Sequence, residues 1–93
     1  MKPASARHRT DTTSRALMAE AQRLGVSIAP LGGAVDAICW IGNVARLVDF
    51  KTPGKTITDS QARLVANGCP LFFISTVDQM QALVAGMKKE AGI

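Results

Sequence analysis

The sequence has no tyrosine and few other aromatic residues, with three phenylalanines and one tryptophan among 93 residues. It also lacks any apolar run of the roughly 18 residues that a membrane-spanning helix needs. The polar, basic N-terminus is not followed by the apolar segment of a secretory signal. We therefore expect no membrane association and no export, and we predict a cytoplasmic protein.

Cysteine is equally scarce. Cys39 and Cys69 stand in unrelated contexts, and neither has a second cysteine or a histidine at metal-ligand spacing. This pattern excludes a zinc-finger type of site and favours two reduced, partly buried thiols.

The amino-acid composition fits one globular domain with a net positive charge. Apolar residues make up 47% of the chain and charged residues 19%, which argues against disorder. We assign residues 13–93 to a single domain and residues 1–12 to a flexible basic tail, in which Arg7 and Arg9 are candidate phosphate contacts. A tail that is merely solvated is the alternative. The net charge of +4 suits a polyanionic partner such as DNA.

Hydrophobic periodicity and turn signals predict seven elements in the order α-β-β-β-α-β-α. Two apolar runs, 34–41 and 44–50, flank Gly42-Asn43, a two-residue hairpin signal. Capping boxes beginning at Thr58 and Thr76 open the last two helices. A hairpin followed by a β-α-β unit predicts an α/β fold with a mixed sheet and flanking helices. The apolar hairpin strands further suggest that both sheet faces are covered.

The hairpin predicts a pair of acids on one face of the sheet. If Gly42 and Asn43 form the loop, Asp36 lies directly opposite Asp49, with Cβ atoms about 4.5–5.5 Å apart. Two such carboxylates repel each other, and a shared Mg²⁺ or Mn²⁺ ion is the simplest remedy. Substituting Asp49 by Asn is therefore expected to stabilise the metal-free protein.

Lys51 is expected to complete this group. It lies two residues beyond Asp49 and so points to the same face. An ammonium beside a carboxylate–metal site can orient a water or stabilise charge on a phosphate. The three side chains together suit the hydrolysis of a phosphodiester.

Each of these residues also has a purely structural interpretation. Asp49 and Lys51 are typical neighbours on an exposed strand, and Asp36 fits a partly solvated strand start. Trp40 shares the face of Asp36, and we favour a core position for it over a platform for base stacking. Lys55 either contacts a phosphate or is an ordinary exposed lysine.

The ordered set of these residues resembles the PD-(D/E)XK nuclease superfamily. Val35-Asp36, twelve residues and then Asp49-Phe50-Lys51 resemble its motif. The wider pattern is similar to the VRR-Nuc branch, from about Leu17 to Met87. The further matching positions are Gly33-Ala34 before the first acid, then Pro53-Gly54, Gln61 and Gly68.

The resemblance implies a restriction-endonuclease-like fold and a set of roles. Asp36, Asp49 and the backbone carbonyl of Phe50 would bind the metal, and Lys51 would position the attacking water. Gln61 would lie at the edge of the site. As the third residue of a capping box, Gln61 also has a local structural explanation, and the sequence leaves both open.

The sequence departs from the family pattern at three positions. Val35 replaces the usual proline and Asp49 replaces the commoner glutamate. The family often carries a glutamate on the first helix, whereas here Ser14 falls near that place and Glu20 is about two turns away.

The resemblance also implies a function. Stand-alone members are small, often phage-encoded, and cut branched DNA such as four-way junctions as dimers. We therefore expect a Mg²⁺- or Mn²⁺-dependent DNA endonuclease that acts as a homodimer. The alternative is a catalytically inactive nuclease-like protein that only binds DNA or serves as a structural module.

Overall fold

The computed structural model describes residues 14–52 and 55–93. Its helices are α1 over 14–23, α2 (Asp59–Ala66) and α3 (Val77–Ala91), and its strands are β1 (Ser27–Pro30), β2 (Ala37–Ile41), β3 (Val44–Phe50) and β4 (Leu71–Ile74). The predicted order of elements is confirmed. None of the helices described is both long and apolar enough to cross a bilayer.

The four strands form one mixed sheet in the order β1-β2-β3-β4. The first three are antiparallel to their neighbours, and β4 is parallel to β3. Parallel neighbours need a crossover connection, and α2 supplies it between β3 and β4. The predicted α/β fold with a mixed sheet and flanking helices is therefore confirmed.

The β2–β3 hairpin has the predicted register. Ile41 pairs with Val44, so Gly42 and Asn43 are the two loop residues. Gly42 has a φ of +59°, which the first position of a type II′ turn requires and which L side chains rarely adopt.

Helices α1 and α3 cover one face of the sheet. They bury Leu17 and Ala21 from α1 and Met80, Val84 and Met87 from α3 against Ile28, Ala37, Cys39, Val48 and Ile74 of the strands. Both thiols are free, with Cys39 buried in this core and Cys69 half-buried.

The opposite face of the sheet is only partly covered, and here the expectation of two covered faces is wrong. Trp40, expected in the core, is 39% exposed, and Ile38 and Leu47 beside it are half-buried. The reason is the placement of the helices. The eight residues of α2 span only about 12 Å, and Gln61 is the only one that α2 buries. We call the surface around Ile38, Trp40 and Leu47 the open face.

The two capping boxes differ in the structure. At Thr58 both reciprocal bonds form with Gln61, as predicted. At Thr76 the hydroxyl accepts from the Gln79 N–H, but the Gln79 side chain accepts from Ser75 N at 2.6 Å, one residue earlier. The second motif is therefore a one-sided cap, because the carboxamide reaches the end of β4 instead of the Thr76 N–H.

We expect Gly42→Ala to lower the free energy of unfolding by about 1 kcal/mol, because alanine is strained at a left-handed φ. Gly86→Ala is the matched control. Gly86 lies in α3, and outside the backbone of its own helix no atom lies within 4 Å of an added Cβ. The same substitution there should therefore stabilise by about 0.5–1 kcal/mol. Urea unfolding of both variants measures the difference. Equal effects at the two positions would contradict the assigned turn.

Candidate active site

A cleft of about 710 Å³ lies where β3 ends and the chain enters β2. Its walls come from the segment before β2, the end of β3 and the start of α2, with one residue from α1. The residues that line it are Ser14, Gly33, Ala34, Asp36, Asp49, Phe50, Lys51, Thr58, Ser60 and Gln61. The four side chains that the sequence nominated for catalysis thus line one cavity.

Asp36 and Asp49 are neighbours across the hairpin. Ala37 pairs with Val48, so the next pair outward in the same register is Asp36 with Asp49. Asp49 is buried, with 4% of its surface exposed, whereas Asp36 is exposed to the cleft. Asp36 Oδ2 accepts the Phe50 N–H at 2.8 Å.

The surroundings of Asp36 disfavour its charge. Partial removal of the carboxylate from water raises the pKa of Asp36 above its usual value, and the nearby Asp49 carboxylate raises it further. The bond from the Phe50 N–H acts in the opposite direction.

Lys51 compensates the second acid directly. Its Nζ lies 3.0 Å from Asp49 Oδ2, and the two side chains are 16% and 6% exposed. This ion pair corrects one expectation from the sequence. Replacing Asp49 by Asn would leave the ammonium without its counter-ion, so in the metal-free protein we now expect the stabilising substitution at Asp36 instead.

Gln61 fastens α2 to the segment that carries the first acid. Its Oε1 accepts the Thr58 N–H at 3.1 Å, and its Nε2 donates to the Ala34 carbonyl at 2.8 Å. The residue is 97% buried, and both ends of its carboxamide are occupied by protein groups. Gln61 is thus a capping residue and also part of the cleft wall. A position in the cap does not exclude a position at the edge of the site.

The remaining candidates fall outside this cluster or at its rim. Ser14 lines the cleft, whereas Glu20 is bonded to Arg23 and Gln81. The bond from Arg23, aided by that from Gln81, lowers the pKa of Glu20 to about 2. Lys55 is exposed on the loop before α2 and is not part of the cleft wall.

Two predicted DNA contacts, Arg7 and Arg9, lie outside the described residues, as does the rest of the assigned tail.

Thr58 and Ser60 line the cleft and Phe73 lies beside Lys51, but none of the three was predicted at the site. The N-terminus of a crossover helix follows the carboxyl end of its strand, so Thr58 and Ser60 could have been expected there. Phe73 pairs with Asp49 across β3 and β4, and its ring centroid lies 5.7 Å from Lys51 Nζ. The sequence holds no signal for the register of that parallel pair.

The donor set of the cleft fits a hard divalent cation. Two adjacent carboxylates face a polar cavity, and Mg²⁺ is commonly held by one or two carboxylates together with waters and substrate phosphates. Over residues 14–52 and 55–93, no group of three or more Asp, Glu, His or Cys residues could enclose an ion. The arrangement suits an open Mg²⁺ or Mn²⁺ site and not a closed protein cage.

Comparison with known proteins adds no relative. No family model matches the chain, and neither the curated proteins nor the solved structures give a significant match. The functional argument therefore rests on the residues and geometry of this chain.

We expect Asp36→Asn to stabilise the metal-free protein at neutral pH by up to about 1 kcal/mol, a value limited by the partial solvation of Asp36. A carboxyl whose pKa is raised on folding favours the folded state at low pH. The stability of the wild type should therefore fall as pH rises through the pKa of Asp36, and the variant should lack that fall.

Denaturant unfolding between pH 4.5 and 8 measures this effect. The lowered pKa of Glu20 gives the opposite slope below its ordinary value of 4.5, which lies outside this window. Asp78→Asn, at an exposed carboxylate in the first turn of α3, is the control and should not stabilise. A wild-type slope retained by Asp36→Asn would assign the titration to another group.

Proposed function

We propose that this protein is a Mg²⁺- or Mn²⁺-dependent DNA endonuclease that hydrolyses phosphodiester bonds in the cleft. The observation that carries the proposal is the convergence of two carboxyl groups and one lysine. Asp36 and Asp49 flank the Ala37–Val48 pair of the hairpin and line the same cleft, and Lys51 Nζ lies 3.0 Å from Asp49 Oδ2. Acids that hold a hard cation beside a positioned ammonium suit phosphoryl chemistry better than acyl or redox chemistry.

The chain's own groups divide the work. Asp36 and Asp49 would hold the cation together with the Phe50 carbonyl, and Lys51 would position the attacking water and stabilise charge on the phosphate. When bound, the cation polarises the phosphoryl group and lowers the pKa of the attacking water. Gln61 would contribute indirectly, because its hydrogen bond to the Ala34 carbonyl holds the segment before Asp36 against α2.

The partner in this proposal is DNA, with branched DNA such as four-way junctions as the preferred form. That preference comes from the resemblance to stand-alone VRR-Nuc nucleases, as does a cytoplasmic setting in a bacterial or phage-infected cell. The net charge of +4 supports binding to a polyanion. Lys55 on the exposed loop, with Arg7 and Arg9, would contact phosphates away from the reacting bond.

A second candidate is a nuclease-like protein that binds DNA without cutting it. Two observations favour it. The described part of the chain has no third acid within the cleft wall, and the Lys51 ammonium already neutralises Asp49. If the protein binds neither metal nor DNA, it would be a purely structural module.

We expect Lys51→Ala to slow cleavage at saturating DNA by on the order of 10²–10³, as the loss of one positioned electrostatic group commonly does. DNA affinity should change little, because diffuse contacts to phosphates dominate binding. Single-turnover cleavage of linear, flap and four-way-junction DNA, with Mg²⁺, Mn²⁺ or EDTA, measures both. A variant that cuts at the wild-type rate would remove Lys51 from the active site.

Deletion of residues 1–10 is the complementary variant. It removes four basic groups and no acid, so it should weaken DNA binding and flatten the dependence of affinity on salt. DNA binding without cleavage by the wild type under every metal condition would instead establish the second candidate.

We also propose a homodimer, because symmetric cutting of two strands requires two sites. The open face supports this, since exposed apolar surface commonly marks a contact between proteins. Trp40→Ser should convert the dimer to a monomer in light scattering. Phe72→Ser is the control, because Phe72 is similarly exposed at 37% but lies on the other face of the sheet. A wild-type monomer at all concentrations would end this part of the proposal.

A further inference from the structure

The ammonium of Lys51 has two partners, the Asp49 carboxylate and the ring of Phe73. Its Nζ lies 3.0 Å from Asp49 Oδ2 and 5.7 Å from the centroid of the Phe73 ring. Asp49 and Phe73 are directly paired on β3 and β4, so the lysine side chain spans two neighbouring strands. Only 16% of the Lys51 side chain is exposed, so most water is excluded from both contacts.

The contact with Asp49 conflicts with cation binding. A divalent cation held by Asp49 would lie within a few ångströms of the ammonium, and like charges at that distance repel strongly where water is scarce. Lys51 lies on Oδ2, so a cation that binds Asp49 through Oδ2, alone or together with Oδ1, takes the place of the ammonium. The lysine shifts when a cation enters in this way.

The ring of Phe73 offers the ammonium another position. A cation within about 6 Å of a ring centroid is attracted to the face of the ring. The ring carries no formal charge and binds no hard cation, and at 5.7 Å the ammonium is near the outer limit of such a contact. When Asp49 changes its partner, the ammonium can therefore move closer to the ring, and the contact becomes stronger. An ammonium kept over the ring stays beside the acids instead of moving into solvent.

We propose that Lys51 is the resident counter-ion of Asp49, that a divalent cation displaces it, and that the Phe73 ring then keeps the ammonium at the site. Phe73 is thereby a positioning residue for Lys51. The inference rests on the proposed metal-dependent function and adds a regulation of that site. Lys51 sets the cation concentration at which the site fills, and Phe73 limits how much its displacement weakens cation binding.

The first test is Mn²⁺ binding to the DNA-free protein, measured from the electron paramagnetic resonance signal of free Mn²⁺. Lys51→Met keeps the length of the side chain but removes the charge, so the dissociation constant should fall by about tenfold or more. Lys89→Met, on α3, is the matched control. It removes the same charge from an exposed position outside the cleft wall and should change the constant less than about twofold.

Two substitutions test the role of the Phe73 ring, one that removes the aromatic ring and one that keeps it. Phe73→Leu removes the aromatic face and should raise the dissociation constant by about two- to fivefold, the range expected for one cation–π contact. Phe73→Tyr keeps that face and should restore wild-type affinity. Because Phe73→Leu and Lys51→Met move the constant in opposite directions, general loosening of the cleft cannot account for both.

The NMR chemical shift of the Lys51 ε-protons reports the position of the ammonium independently of Mn²⁺ affinity. Protons above an aromatic ring shift upfield in the NMR spectrum, so the ε-protons of Lys51 should be shifted upfield in the metal-free protein. The shift should increase when Mg²⁺ is added, vanish in Phe73→Leu and return in Phe73→Tyr. A shift that stays constant or is lost when Mg²⁺ is added to the wild type would overturn the role of Phe73.

The results of these measurements distinguish failure of this inference from failure of the proposed nuclease function. Equal Mn²⁺ affinity of the wild type and Lys51→Met would overturn the displacement of Lys51 while leaving the nuclease proposal intact. Unchanged affinity in Phe73→Leu would overturn the role of the ring. If neither the wild type nor Lys51→Met binds Mn²⁺ at millimolar concentration, the proposed metal-dependent function fails, and this inference fails with it.

Discussion

The register of the β2–β3 hairpin places the acids and the lysine of the cleft. Because side chains alternate between the two faces of a sheet, a slip of one residue would turn Asp49 and Lys51 toward α1 and α3. Their charges would then enter the apolar core, where burial without partners is strongly unfavourable. The left-handed Gly42 and the buried pair of Ala37 with Val48 both oppose such a slip. Turn geometry and core packing thus act together on the position of the site.

Hydrogen bonds and an ion pair hold the cleft residues in the positions that the hairpin register gives them. Phe50 donates its N–H to Asp36, Lys51 pairs with Asp49, and Gln61 bonds to the Ala34 carbonyl. Within the described residues, no buried side-chain nitrogen or oxygen lacks a hydrogen-bond partner. The buried polar side chains of the cleft therefore already have partners within the chain, and a cation or phosphate that binds through these groups must exchange partners with them.

Local patterns were sufficient to predict the elements, the hairpin and the pairing of Asp36 with Asp49, because a two-residue turn fixes which residues face each other. The exposure of Trp40 could not be predicted, since it depends on which face each helix covers and on the shortness of α2. Phe73 was missed for a related reason. Its place beside Lys51 depends on a parallel register that is set through a crossover helix and not by a turn. The bond from Gln79 to Ser75 N, instead of Thr76 N, likewise depends on how β4 enters α3.

Helix α2 contributes to the cleft but has little part in the core. Gln61 is the only residue that it buries, and it does so through polar bonds, whereas α3 buries Met80, Val84 and Met87. An element with so little apolar attachment opens locally at a lower free energy than the whole domain unfolds. The amides of α2 are thus expected to exchange with solvent deuterium well before those of α3. Such a low-energy opening of one wall would admit a bulky polymer to the cleft while the hairpin that carries the acids stays folded.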